Sequence, residues 1–168
     1  MLSVQVNWAY EDLALVNESI HSAPWTLECD ETGRIVRASW SHAFRQILGY
    51  HDALDFPNQL DAWSELLHPE DKDRVMTLLL KTVADKTNTT KFSVEYRLKL
   101  QYGPYQWFRA SAEVIRRLDG TASRITGIIY NIEEEKQSRM QAQRAQRSTA
   151  RHQREPLRIL CESGTEHL

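Results

Sequence analysis

The chain has 168 residues, of which 41% are hydrophobic and 26% are charged, and its formal net charge is −2. This length predicts one globular domain with extra segments at its ends. The charge balance argues against general nucleic-acid binding and a polybasic membrane surface, and no apolar run reaches the roughly 18 residues of a transmembrane helix. The start lacks the basic region of a secretory signal, and Cys29 and Cys161 form no CxxC pair, so we expect a cytoplasmic protein without a disulfide framework or zinc site.

The first segment has the spacing of an amphipathic helix. Hydrophobic residues recur every three to four positions before Pro24, which is expected to end the helix. Residues 1–23 are therefore predicted to form an N-terminal helical cap. The hydrophobic positions are Leu13, Val16 and Ile20.

A hairpin and several short helices are predicted next. Residues 25–39 alternate apolar and polar side chains on both sides of a Thr32-Gly33 turn. Ser41 is a plausible N-cap for a short helix that Gly49 ends. Less regular helical turns are predicted for residues 58–67.

A longer helix is predicted to begin at Pro69. Proline suits the first helical turn, and the acidic residues that follow favour the positive end of the helix dipole. We interpret these acids, Glu70, Asp71 and Asp73, as complementing the dipole rather than as catalytic groups. His68 precedes the proline and is expected to cap the helix.

Three strands follow, predicted at Lys91–Gln101, Tyr105–Arg117 and Arg124–Ile132. Apolar residues occupy one face of each strand and polar residues the other, and Asp119-Gly120 is a strong hairpin signal. Five such strands imply an antiparallel sheet that is covered on one side only. The helices inserted between the second and third strands are the candidates to cover it.

The order of these motifs resembles the PAS fold with its C-terminal PAC segment, most closely that of bacterial chemoreceptors and diguanylate cyclases. The resemblance covers roughly residues 19–136. It is carried by the stretches "DETGRIVRASWSHAFRQILGY", "LLHPEDKDRV", "FSVEYRLKLQYGPYQWFRASAEVIRRLDG" and "ITGIIYNIEEEK". It implies an α+β fold with a five-stranded antiparallel sheet over residues 24–136, helices on one face of the sheet, and flanking helices at both ends.

The resemblance also implies an interior cavity between sheet and helices. Ala110, Ala112 and Gly127 are small for core positions, so they either leave room for a ligand or let large neighbours such as Trp63 and Tyr96 pack in. A filled core and a small-molecule pocket both remain open. The pocket residues implied are Leu27, Cys29, Phe44, Ile47, Trp63, Leu67, Tyr96, Leu98, Phe108, Ala110, Ala112, Gly127 and Ile129.

Two cofactors of the family are not expected, and the cofactor is otherwise unknown. A light-oxygen-voltage flavin adduct needs a reactive cysteine in a Gly-x-Asn-Cys-Arg motif on the inserted helices, which have none. Cys29 lies on the first strand instead and is interpreted as a small buried hydrophobe. The long helix has no histidine to ligate haem, and His42 and His51 are expected to face solvent. Scattered single histidines also give no metal spacing.

The end of the domain departs from the family pattern. The exit motif, usually Asp-Ile-Thr, is Asn131-Ile132-Glu133 here, and by resemblance it passes a signal onward. After it, residues 137–168 form a basic polar helix or tail, with five arginines and one acid between Gln137 and Glu155. A solvated output helix, a disordered basic tail and a contact with an anionic partner remain open for this segment. Pro156 is expected to end any helix.

These observations predict a non-enzymatic sensory module of bacterial signal transduction, with a role such as chemotaxis. It would sense a small molecule or partner and relay the signal through the C-terminal helix to a downstream domain. The alternative is a ligand-free module for dimerisation or docking. No nucleophile–base pair is visible, and no nucleic-acid partner is expected. By resemblance, a homodimer would use the surface of Leu13, Val16 and Ile20.

Overall fold

A computed structural model describes residues 22–162, with side chains up to Arg151, and the chain divides into two units at Ile132 and Glu133. The first unit holds the sheet and its helices, and the second holds one long helix. The strands are β1 (Ala23–Cys29), β2 (Ile35–Trp40), β3 (Phe92–Lys99), β4 (Tyr105–Arg116) and β5 (Ala122–Asn131). The helices are α1 (His42–Leu48), α2 (Leu60–Ser64), α3 (Pro69–Ala84) and α4 (Glu133–Glu162).

The sheet has the order β2-β1-β5-β4-β3, and all neighbouring strands are antiparallel. Strands β1, β3 and β4 bury alternate residues, as the binary pattern requires, and α1, α2 and α3 contribute the rest of the core. The predicted α+β architecture, a five-stranded antiparallel sheet with inserted helices, is therefore confirmed.

Local capping explains where the helices begin and end. The Ser41 hydroxyl accepts a hydrogen bond from the Phe44 N–H (3.1 Å), and Gly49 ends α1 at φ 93°, a backbone conformation that favours glycine. At the start of α3, His68 Nδ1 accepts from the Glu70 N–H (3.2 Å). The predicted capping roles of Ser41 and His68 are both confirmed.

Arg116 satisfies the other end of α3. Its guanidinium donates to the carbonyl oxygens of Thr82 (2.7 Å) and Val83 (3.0 Å), which have no partner within the helix. Because Arg116 ends β4, this contact fixes the helix to the sheet.

The loop before α3 protects the edge strand β3. The His68 N–H donates to the Arg97 carbonyl (3.0 Å), and the Lys99 N–H donates to the Leu66 carbonyl (2.8 Å). The Asp71 carboxylate accepts from the Arg97 N–H (3.0 Å). Unpaired edge groups are an aggregation hazard, and these bonds remove several of them.

Two predicted boundaries were wrong. Strand β1 begins at Ala23, so Pro24 lies inside a strand instead of ending a helix. Helix α4 continues past Pro156 to Glu162, since one proline removes one backbone hydrogen bond without ending a 30-residue helix. The N-terminal cap, including Leu13, Val16 and Ile20, lies outside the described residues. Within the described part, no helix combines the length and apolar composition that crossing a bilayer requires.

Candidate ligand pocket

The space between the inner face of the sheet and the helices is almost completely filled. A cavity of about 10 Å³ lies there among the described residues. That volume is at the lower limit for a single water molecule, whereas small-molecule sites occupy about 300–1,000 Å³. The cavity is lined by Trp25, Leu27, Trp40, Phe44, Trp63, Leu79, Phe92 and Tyr96.

One row of residues across the sheet explains why so little space is left. Trp25 on β1 pairs with Gly127 on β5, which pairs with Ala112 on β4, which pairs with Phe92 on β3. The two small residues let the flanking rings meet above them, edge to face, with centroids 6.0 Å apart. A methyl group on Gly127 would be 2.7 Å from Trp25 Cζ2.

This row corrects part of the sequence interpretation. Trp63 and Tyr96 were named as examples of large neighbours that could pack above the small residues, but Trp25 and Phe92 fill the space above Gly127 and Ala112. The reason is register, because only the cross-strand pairing determines which ring lies over which small residue.

The helical wall is a second aromatic cluster, centred on Trp40. Its ring lies 4.6 Å from that of Phe44 and 5.8 Å from that of Phe56, measured between centroids. The indole Nε1–H donates to the Pro57 carbonyl (3.1 Å), which satisfies its polar atom. The rings of this wall therefore pack against one another, and the Trp40 indole N–H already has its acceptor within the protein.

Arg45 fixes this wall and was missed by the sequence interpretation. Its buried guanidinium donates to the carbonyls of Trp40 (2.5 Å) and Phe56 (3.1 Å) and to Asn58 Oδ1 (2.8 Å). These bonds join α1, β2 and the loop before α2. An arginine within a short amphipathic helix gives no sequence signal that it will be buried.

Two polar side-chain atoms in the cavity wall differ in their partners. The Tyr96 phenol is buried, which raises its pKa above the ordinary range, and a hydrogen bond with Trp63 opposes that shift. The Trp25 indole Nε1–H is buried and has no hydrogen-bond acceptor among the described residues. An unsatisfied buried donor destabilises the fold, so Trp25 is the wall residue best suited to donate to a guest.

The predicted pocket residues divide into two groups. Leu27, Phe44, Trp63 and Tyr96 line the cavity. Most of the other predicted residues are buried in the same core but do not line the cavity. Ile47 is only half-buried against this core, and Leu48 is the fully buried residue of α1. Those core residues are Cys29, Leu67, Leu98, Phe108, Ala110, Ala112 and Ile129. Trp25, Trp40, Leu79 and Phe92 line the cavity but were not predicted to do so.

The residues present do not fit flavin or haem. A cavity of about 10 Å³ cannot admit either ring system without displacing the aromatic wall. His42 and His51 are exposed, and the half-buried His68 caps α3. Burial raises the pKa of the Cys29 thiol, which favours its neutral, unreactive form. Among the described residues, no group of three or more His, Cys, Asp or Glu could hold a metal ion.

The predicted signal exit is held firmly to strand β4. The Asn131 side-chain amide donates to Gln106 Oε1 (2.6 Å), and the Ile132 N–H donates to the Trp107 carbonyl (2.8 Å). Strand β5 ends at Asn131 and helix α4 begins at Glu133, so one residue separates them. A movement of β5 therefore has a short covalent path to the helix.

Comparison with known proteins connects this architecture to a family. The sequence model of a family described as PAS fold matches residues 37–129. The sensor protein FixL of Bradyrhizobium diazoefficiens is 36% identical over 98 residues, which are 58% of this chain and 18% of that protein. An uncharacterised Pseudomonas chlororaphis protein is 30% identical over 79 residues, which are 46% of this chain and 31% of the relative. The chain thus spans less than a third of the length of either relative.

Solved structures agree on the fold. A sensory box histidine kinase/response regulator from Burkholderia thailandensis matches with a TM-score of 0.64 and 24% identity, covering 83% of this chain and 98% of that one. The N-terminal domain of a Marinobacter aquaeolei diguanylate cyclase with a PAS/PAC sensor matches with a TM-score of 0.56 and 21% identity, covering 68% and 97%. At these identities the likeness concerns the fold alone.

Proposed function

The chain belongs to the PAS fold family. We propose that it is a sensory module of a bacterial signalling protein. The interior of this module stays closed, and its input signal is contact with another protein. The supporting observation is the aromatic interior, which leaves about 10 Å³ where a small-molecule site needs about 300 Å³ or more. The role is one of binding and relay, not catalysis, because the interior wall is aromatic and apolar. A homodimer, a downstream signalling domain and a cytoplasmic location belong to this proposal.

The relay would use strand β5. This strand is paired with β1 on one side and β4 on the other, so its position depends on the packing of the whole sheet. Its end is held by the Ile132–Trp107 hydrogen bond and leads directly into α4. A partner that shifts the sheet would alter the direction in which the helix leaves.

Native mass spectrometry of the purified full chain tests the closed interior. We expect the mass of the polypeptide, or of twice the polypeptide, with no additional stoichiometric mass. A thermal-shift screen against a metabolite panel should give no stabilised hit. A co-purifying molecule that protects Trp25 and Trp63 fluorescence from quenching would overturn the proposal.

A second candidate is supported by the unpartnered Trp25 indole. It is a receptor for a very small polar molecule, of few non-hydrogen atoms, that accepts a hydrogen bond from Trp25 Nε1. Trp25→Phe removes this donor and keeps an aromatic ring, so it should abolish any hit of the thermal-shift screen. Trp40→Phe is the matched control, because the Trp40 donor is already satisfied by Pro57. A hit that survives Trp25→Phe would contradict this candidate.

A further inference from the structure

Helix α4 carries five of its six arginines on one face. Arginines at positions 144, 147, 151, 154 and 158 follow alternating spacings of three and four residues. At about 100° per residue, these positions fall within an arc of about 80°, and they extend over about 21 Å of helix. We call these five positions the arginine stripe.

The described part of the stripe is available to a partner. Arg144, Arg147 and Arg151 are exposed and make no hydrogen bond or ion pair with other described side chains. Arg139, outside the stripe, instead pairs with Glu135 across one helical turn (2.6 Å). The acids at the start of the helix thus neutralise its first turns, whereas Arg144, Arg147 and Arg151 have no acidic partner among the described side chains.

We propose that the arginine stripe binds the phosphate backbone of nucleic acid. A duplex carries one negative charge per about 1.7 Å of its axis, so about 12 phosphates lie along the length of the stripe. Arginine forms bidentate hydrogen bonds with phosphate, and each phosphate contact releases counterions. Gln143, which lies beside the stripe at this helical spacing, adds an amide side chain that can reach sugar or bases.

Other anionic partners fit this helix less well. An interfacial membrane helix needs a large apolar face, but the exposed side chains from Arg139 to Arg151 include one large apolar residue, Met140. A second helix could pack on this face only along an apolar seam. The three- and four-residue spacing that defines such a seam is occupied here by arginines, which would also repel a second copy of the chain. A partner with an acidic protein surface would offer only exposed ion pairs, and each of these contributes little to binding.

The net charge of −2 averages the stripe with acidic segments elsewhere in the chain, so the total charge says nothing about this helix. The sequence leads us to expect no nucleic-acid partner and leaves an anionic partner open for this segment, and the proposal takes up that open alternative.

Fluorescence anisotropy of the full chain tests the proposal, using labelled 20-base-pair DNA and RNA duplexes at several salt concentrations. With five phosphate contacts, the slope of log K against log salt should be about −4.5. The variant Arg144→Gln/Arg147→Gln/Arg151→Gln removes three of these contacts. The slope of log K against log salt should therefore become less negative by about 2.7, and binding should weaken by roughly tenfold or more. Glutamine is a good helix former, so circular dichroism should show the helix intact.

The matched control neutralises three exposed arginines of the first unit, as Arg34→Gln/Arg37→Gln/Arg124→Gln. It makes the same charge change and should retain affinity within about threefold and the full salt slope. The proposal fails if neither duplex binds, or if the stripe variant binds as well as the wild type. Binding to vesicles with anionic phosphatidylglycerol but to neither duplex would also overturn it.

Discussion

Side chains on the two opposite faces of this sheet show how differently those faces are stabilised. On the inner face, Trp25 and Phe92 meet above Gly127, and the contact depends on shape and volume. On the outer face, Glu95 accepts from Arg109 (2.6 Å to Nη2), and Arg97 lies 5.1 Å from the centre of the Trp107 ring. Close-packed interiors respond to a single methyl group, whereas half-exposed charges are screened by water. The inner face should therefore be much the more sensitive to substitution.

The largest expected effect is that of Gly127→Ala on the inner face. The new methyl group would collide with Trp25 Cζ2 and Ala112 Cβ at 2.7 Å and with the Ser111 carbonyl oxygen. Neither the backbone nor the packed ring can give way easily, so we expect a loss of about 3 kcal/mol in the free energy of unfolding. Urea unfolding followed by tryptophan fluorescence measures it.

Gly103→Ala is the control for this substitution. Its methyl group would be 3.3 Å from a side-chain atom of Leu100 in the β3–β4 turn, where a flexible side chain can adjust. We expect a change of less than about 0.5 kcal/mol. Equal effects at Gly127 and Gly103 would mean that the inner row is not limited by volume.

Much of this comparison could be predicted from the sequence. Alternation along the strands assigned Tyr96, Leu98 and Phe108 to the inside and Glu95 and Arg109 to the outside, because side chains on a strand alternate strictly between faces. Capping by Ser41 and His68 is equally local and was predictable for the same reason.

The contents of the interior could not be predicted in the same way. Trp25 and Gly127 are about 100 residues apart in the chain, and their pairing depends on the register between β1 and β5. Whether small residues leave a pocket or admit a ring follows from that register. Burial of Arg45 likewise depends on carbonyl groups supplied by Trp40 and Phe56, which lie outside its own helix.

An intermediate effect is expected for Asp71→Asn at the protected edge of β3. The carboxylate is 7% exposed and accepts from the Arg97 backbone N–H and guanidinium (2.9 Å to Nε). These bonds lower the pKa of Asp71 to about 2, from an ordinary value near 3.8. We expect a loss of about 1–2 kcal/mol in the free energy of unfolding at pH 7, after allowance for screening by solvent.

The pH dependence sharpens this test. Since the folded-state pKa is lowered, the stabilisation is complete above about pH 4 and is lost as the pH falls through about 2. Urea unfolding of Asp71→Asn and wild type should thus converge between pH 5 and pH 2. Asp73→Asn, on the exposed side of the same helix and beyond its first turn, loses at most a weak dipole interaction and should stay within about 0.5 kcal/mol of wild type at every pH. A constant difference between Asp71→Asn and wild type would exclude the ionic contribution.

The smallest effect is expected for the Glu95–Arg109 pair in the middle of the outer face. Both side chains are about 30% exposed, and Arg109 also contacts the Tyr130 ring, 5.6 Å from its centre. A double-mutant cycle with Glu95→Gln and Arg109→Gln should give a coupling of about 0.5–1 kcal/mol. It should decrease in 1 M NaCl, where the screening length falls to about 3 Å. The Lys91–Glu113 pair on the same face is more exposed, at 55% and 67%, and should couple more weakly because water screens it more. A larger coupling for Lys91–Glu113 would show that burial does not set the strength of these pairs, and the contrast between the two faces would then need another physical cause.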